Sequence, residues 1–430
     1  MSTLSPSGGL HSTQLARRGW KGIFDGLKVP GFRKYWLSLF VLNFGGQMLM
    51  PAQAWLAYEL TGSPLKLTLV AAMQSIPWFL LSLYSGVISD RIQKRDVIIA
   101  CQVISTFVAA IIAVLIATGE IQYWHLLVSS FIAGINGAFN QTARNSIMAE
   151  LVPRDRLYNA IALNNVGTCT ASIIGPAISG ILIGVVSTEG AYYAGIGLYI
   201  IGIIMMRLVP VTGNLARVQP GSMFKHLVEG LRYVRGQRVL MIIFVLELAL
   251  TLFGVTYSGL MPVFASLWNL ESEGYGFLLA ASGVGSLLAS LAVASLGNYK
   301  RKGALILVSG IVFGLMLLLF SNTGYLDNWL GLGSGLFFFA CFSSIAVGFM
   351  ATAFSTTSNT SIQMGSSDEF RGRVNGVYSM IVALHPLATL GLGAMAEGIG
   401  APLALSISAG ILTLVMASVL IFVRPIRQME

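Results

Sequence analysis

Apolar positions in this chain gather into long runs, with short polar breaks between them. Twelve runs are long enough to cross a bilayer as helices, which takes about 20 predominantly apolar residues. They lie at Trp36–Tyr58, Leu67–Ser89, Val97–Thr118, Trp124–Met148, Leu157–Val186 and Ala191–Met206, then at Val239–Leu267, Gly274–Leu296, Ala304–Phe320, Gly333–Gln363, Arg373–Gly398 and Pro402–Val423. The pattern therefore predicts an all-α membrane protein with twelve transmembrane helices in two six-helix halves. The expected organisation is a cytoplasmic tail over 1–35, a first half over 36–206, a linker over 207–238, a second half over 239–423 and a short tail over 424–430. In the first tail, Trp20, Ile23, Phe24 and Leu27 recur at helical spacing among Arg17, Arg18, Lys21 and Lys28. This predicts an interfacial amphipathic helix over Leu15–Lys28, with an irregular tail as the alternative. The first apolar run is too long, and lacks the small-x-small exit, for a cleavable signal.

Charge sets the expected orientation. Of the 26 Lys and Arg residues, 25 fall in the tails, the linker and the loops on the same side as them; only Lys66 falls on the other. Basic residues mark the cytoplasmic side, so both termini are expected there, in a bacterial cytoplasmic membrane. Glu59, Glu120, Glu189, Glu271, Glu273 and Asp327 fall in the opposite loops. The net charge of +9 is thus a matter of topology, and no nucleic-acid partner is expected. Two halves also echo one another. Ser146-Ile147 matches Ser361-Ile362 at an offset of 215, and Asn159-Ala160 and Gly175 match Asn375-Gly376 and Gly391 at 216. Such a repeat fits two halves related by an axis along the membrane normal.

Composition narrows the chemistry. The chain is 55% hydrophobic and 10% charged, against about 25% charged in a soluble domain. Cys101, Cys169 and Cys341 sit far apart inside apolar runs, without metal or disulfide spacing. No phosphate-binding Gly-Lys loop occurs, so an ATP site, a cofactor and a metal are not expected. No cluster of catalytic groups lies on any run, which argues against an enzyme.

The polar exceptions inside the runs are the candidate working residues, because an ionisable side chain there costs about 2.5–3.5 kcal/mol at a helix centre. Glu247 leads a stripe with Thr251, Gly254 and Ser258 and is a candidate proton or substrate site; hydrogen bonding between helices is the alternative. His385, beside Pro386, is a second proton candidate, with a packed imidazole as the alternative. Asn43 and Gln47 share a face of the first run, and Asn136, Asn140 and Arg144 a face of the fourth. Tyr257, Thr356 and Asn359 complete the candidate cavity lining; helix–helix hydrogen bonding competes for every such stripe. Between the second and third runs stands Gly86-Val-Ile-Ser-Asp90-Arg91-Ile-Gln-Lys94-Arg95. Gly86 permits a close helix approach, and Asp90 with Arg91, Lys94, Arg95 and Arg144 can form a charge cluster that bridges helix ends and breaks when they part. Arg144 has Asp90 or Glu150 as candidate partners. The bland reading is a loop that merely marks the cytoplasmic side.

That loop resembles the signature loop of the major facilitator superfamily. FRKYW, WLAYELTGSPLKL, AELVPRDRLYNAIAL, GPAISG and RGRVNGVYS, spread from Phe32 to Ser379, resemble the bacterial efflux branch that contains the enterobactin exporter and related drug and macrolide exporters. Gly175, Pro176 and Gly180 resemble the helix-bending Gly-Pro motif of facilitator antiporters, with Ser179 in place of a glycine. Thr142 stands where the branch tends to have proline, and the second half, at Leu296–Gly303, lacks the Asp-Arg pair. The resemblance implies a cavity lined by the first, fourth, seventh and tenth helices and a latch closed when that cavity faces out. It implies a monomeric secondary transporter, in contact with membrane lipid, that exports an amphipathic siderophore-like or drug-like small molecule in exchange for protons. A lipid or lysolipid flippase, or an importer of a small organic solute, stays open on the same fold.

Overall fold

The computed structural model describes residues 27–89, 92–153, 157–210, 223–296, 301–331, 333, 335–367 and 369–423. The predicted interfacial helix lies outside them save for its last two residues, as do Asp90, Arg91 and the tail from residue 424. The first half comprises α1 (Pro30–Thr61), α2 (Pro64–Ser89), α3 (Lys94–Ala117), α4 (Tyr123–Leu151), α5 (Leu157–Val185) and α6 (Thr188–Arg207). In the linker, where the pattern predicts no element, α7 (Met223–Gly236) forms. The second half comprises α8 (Arg238–Phe253), a 3-10 segment (Val255–Leu260), α9 (Met261–Leu267), α10 (Glu271–Leu296), α11 (Lys302–Ser321), the short α12 (Thr323–Leu330), α13 (Gly335–Gly365), α14 (Arg371–Ala383), α15 (His385–Ile399) and α16 (Ala401–Phe422).

Two of the twelve spans are broken. The seventh runs as α8, the 3-10 turn and α9. Gly254 ends α8 by donating its N–H to Leu250 O, and Pro262, which has no N–H to give, opens α9. The eleventh breaks between α14 and α15 at Leu384, where Pro386 sits at the start of the new helix. Elsewhere the ends have ordinary causes. Gly62 takes a left-handed φ of 59° and caps α1 through a bond to Tyr58 O, a conformation with no penalty for glycine. Ser187 accepts the N–H of Gly190 at the start of α6.

Ten of the spans are long and apolar enough to cross a membrane by length and composition alone. The other two are α1 and α4, whose 32 and 29 residues are diluted by the polar positions noted above. Packing repeats between the halves. The first span lies on the fifth and sixth, the third on the fourth and sixth, and the second on the fourth; the second half repeats each pairing six spans later.

The buried apolar side chains form two separate clusters. One lies at the end of the first half nearest residue 30, here called the proximal end, and includes Phe32, Tyr35, Leu39, Ile98, Ile147, Leu151, Leu163 and Met206. The other runs through the second half and takes in the opposite, distal end of the first half, through Ala52, Leu56, Leu67, Val70, Ile183 and Tyr192. The halves thus share a core at the distal end, while the first half keeps its own at the proximal end.

Candidate functional site

The seam between the halves is built by glycine. Helix α5 meets α10, and α2 meets α15. A Cβ at Gly180 would stand 2.6 Å from Ser272 O and 2.8 Å from Gly276 Cα, and one at Gly276 would stand 2.7 Å from Pro176 O. A Cβ at Gly184 would stand 2.6 Å from Glu273. Contacts this close need bare backbones on both sides, as in small-residue helix packing. Gly175 serves a different contact: its Cβ would stand 2.7 Å from Gln47 Cβ, so it seats α5 on α1 within the first half. Pro176 lies inside α5 and withholds one helical hydrogen bond there. Across the other seam, Ser63 Oγ donates to Glu397 Oε2 at 2.7 Å, and Leu65 N donates to the same oxygen at 3.3 Å. Trp55 of α1 stacks on Tyr275 of α10 at 5.9 Å. The bonds from Ser63 and Leu65 to Glu397 join the halves at the distal end.

The proximal loop residues are engaged within the first half. Arg95 donates to Val209 O at 3.2 Å and to Asp96 Oδ1 at 3.2 Å, tying the start of α3 to the end of α6. Lys94 is buried at the first turn of α3, and Gly86 falls within α2. Asp90 and Arg91 lie outside the described residues, so the bridge expected of them has no geometry here. Arg144 donates from Nη1 to Asn43 Oδ1 at 2.6 Å, and Tyr35 donates its hydroxyl to the backbone carbonyl of Arg144 at 2.9 Å. The candidate latch residue and the candidate lining residue therefore meet each other, within one half.

The remaining candidates separate. Asn136 turns into the first half, where its Nδ2 donates to Ser105 Oγ at 3.3 Å and Cys101 O at 3.4 Å. Tyr257 is buried; its hydroxyl shares a 2.9 Å hydrogen bond with Ser282, and its ring meets Phe313 and Phe320 edge-on. Both side chains join helices in this conformation. Glu247 and Thr251 are also buried inside the second half. Glu247 sits beside Ser358 of α13 and near Tyr378 of α14, and its Oε1 is sealed from solvent without a hydrogen-bond partner among the described residues. His385 stands at the break of the eleventh span with its imidazole by the carbonyl of Val255, in the 3-10 segment of the seventh. Its Nε2 is buried without a partner among the described residues. The two broken spans thus face each other at this histidine. Asn140 and Thr356 are half-buried. Asn359 accepts from Gln363 Nε2 at 2.6 Å along α13.

The linker helix docks at the proximal end of the second half. Glu229 pairs with Arg373 at 3.3 Å, Tyr233 stacks on Phe370 with ring centres 4.5 Å apart, and Ser367 N donates to the Tyr233 hydroxyl at 3.2 Å. Hydrogen bonding from the Ser367 side chain and from its backbone N–H favours the phenolate and lowers the Tyr233 pKa below its ordinary value. Sequence reasoning missed this helix, the Ser63–Glu397 bond and the polar neighbours of Arg144, which are Gln141, Asn164 and Thr168. For α7, the alternation of Phe224, Leu227, Val228 and Leu231 with basic residues carried a signal; for Glu397 nothing in the sequence did.

Twelve spans in two matching six-helix halves, joined along two seams and carrying buried polar groups, define a secondary transporter of the major facilitator type rather than an enzyme. A family model described as transmembrane secretion effector matches residues 22–430, and the chain belongs to that family within the major facilitator superfamily. Similar proteins include the multidrug efflux pump Tap of Mycolicibacterium fortuitum, 25% identical over 372 residues that cover 83% of this chain and 87% of Tap. The staphyloferrin A transporter of Staphylococcus aureus is 23% identical over 404 residues, 91% of this chain and 96% of its own. The enterobactin exporter EntS of Escherichia coli is 24% identical over 410 residues, 93% of this chain and 94% of its own. In fold, the chain matches the nucleoside transporter NupG with a TM-score of 0.71 and 14% identity, over 90% of this chain and 99% of NupG. It matches a bacterial homologue of ferroportin in an inward-facing state with a TM-score of 0.69 and 14% identity, over 90% of this chain and 97% of that one.

Proposed function

We propose that this protein exports an amphipathic small molecule across the bacterial cytoplasmic membrane by alternating access, driven by proton antiport. The division of the buried core carries the reading: among the described residues, the halves share apolar packing at the distal end and not at the proximal one. A molecule so built can rock about its middle, exchanging one closed end for the other. The basic residues gathered on the proximal side support a cytoplasmic placement of that end, and in that reading this conformation takes cargo from inside. The names of the relatives, which cover multidrug and siderophore transporters, support export of an amphipathic molecule. Glu247 is the proposed proton carrier and His385 the second. Both are ionisable groups inside spans with a buried, unpartnered polar atom among the described residues, and His385 sits at the break of the eleventh span.

In the outward-facing state, Asp90, Arg91, Lys94, Arg95 and Arg144 form the proximal latch. In this conformation Arg95 bonds to Asp96 and Val209 O and Arg144 bonds to Asn43. The test is accumulation of siderophores, macrolides and cationic dyes in an efflux-deficient bacterium expressing the chain. Lower accumulation of at least one compound, restored by a protonophore, is the expected result. Unchanged accumulation of the whole panel by a correctly inserted protein would overturn the export reading.

A further inference from the structure

The polar pocket around Arg144 points to the chemical class of the cargo, an inference that rests on the export reading above. The pocket has a volume of about 210 Å³ and is lined by Asn43, Gln141, Arg144 and Met148, together with Asn164 and Thr168. It is enclosed by α1, α4 and α5, and exposed Gln141 and Thr168 stand at its mouth. Among the described residues, no lining residue is acidic. A guanidinium has five N–H donors. Here Asn43 accepts from one of them, and Nε is sealed from solvent with no partner among the described residues.

A cation inside a span needs a counter-charge or a task. A neutral amide oxygen gives Arg144 a dipole but no charge. The other lining groups are amides and a hydroxyl, which can donate to an anion as readily as they accept from a cation. The planar guanidinium is the side chain best matched to a two-oxygen anion. We infer that this pocket receives an oxyanionic group of the cargo, a carboxylate or catecholate, with Arg144 as its charge partner and Asn43 holding the guanidinium in place. The apolar remainder of an amphipathic cargo would then extend out of the mouth past Gln141 and Thr168.

Three small molecules of one shape separate charge from size: benzoate, neutral benzamide and cationic benzamidine. Their binding is read from the thermal unfolding midpoint of the purified protein, which a ligand of the folded state raises with concentration. Benzoate is expected to raise the midpoint, and the other two are not. Arg144→Gln should weaken benzoate by at least about tenfold, the scale of a charge-assisted pair. Asn164→Asp leaves Arg144 in place and supplies a built-in carboxylate, so it should abolish the benzoate effect in a protein that still folds. Benzamidine acting like benzoate, benzoate acting equally on Asn164→Asp, or no benzoate effect on the folded wild type would each overturn the inference, and the last would leave Arg144 to the latch alone. Because binding is measured without transport, failure here leaves the export reading standing. Benzoate binding without any cargo export would do the reverse.

Discussion

Adding one carbon atom at Gly180 should shift the conformational balance of the whole molecule. A methyl group there would meet Ser272 O at 2.6 Å and Gly276 Cα at 2.8 Å, both backbone atoms that no rotamer change can move. Ordinary van der Waals contact begins near 3.4 Å, so relief requires α5 and α10 to part by about 0.8 Å. Overpacking of this kind costs about 1–3 kcal/mol. The cost falls only on the state closed at the distal end, since opening that end separates the two helices. Gly180→Ala should therefore move the ratio of distal-open to distal-closed molecules by about 5- to 150-fold. Spin labels at Glu120 and Tyr325, both exposed and one on each half, would report the change in a chain whose three cysteines are replaced. The distance distribution should gain a longer component in Gly180→Ala. A folded Gly180→Ala protein with the wild-type distribution would refute the glycine seam as the closing contact.

The same labels test the other seam. Ser63→Ala with Glu397→Gln removes the bond to Glu397 Oε2, and because Glu397 is exposed the shift toward the distal-open state should be worth under about 1 kcal/mol, smaller than for Gly180→Ala. Glu247→Gln keeps the shape of the side chain and removes its proton; transport should lose its dependence on pH, and an unchanged profile would move the proton site elsewhere. Asp90→Asn should slow the transport cycle while leaving the affinity for cargo unchanged. Undiminished turnover would remove the latch.

The sequence carried the fold because membrane spans announce themselves: apolar runs of bilayer length, with the basic residues gathered on one side, fix the number and order of helices. Its span ends at Thr118, Val186 and Val423 fall within one residue of helix ends in the structure. Pro386 hinted at an interruption in the eleventh span, whereas Gly254 read only as part of a polar stripe; the 3-10 geometry between Val255 and Leu260 depends on packing against α15, which no local pattern records. Polar stripes were legible as stripes and not as destinations. Asn136 and Arg144 lie two helical repeats apart on α4, yet one bonds to α3 and the other to α1, because a stripe in the middle of a six-helix half has neighbours on several sides. Gly180 was legible as part of a motif. That it meets Gly276 in the other half could not be read, since the partner lies 96 positions away in the sequence.

Proton movement coupled to cargo is the central claim, and it is tested most directly with purified protein in liposomes. A proton gradient is imposed and the lumenal pH followed while siderophores, macrolides and cationic dyes are added in turn. The account predicts that at least one compound dissipates the gradient faster than its own passive leak, and that Glu247→Gln abolishes this flux. A folded, reconstituted protein that passes no protons with any of these compounds would contradict proton-coupled export.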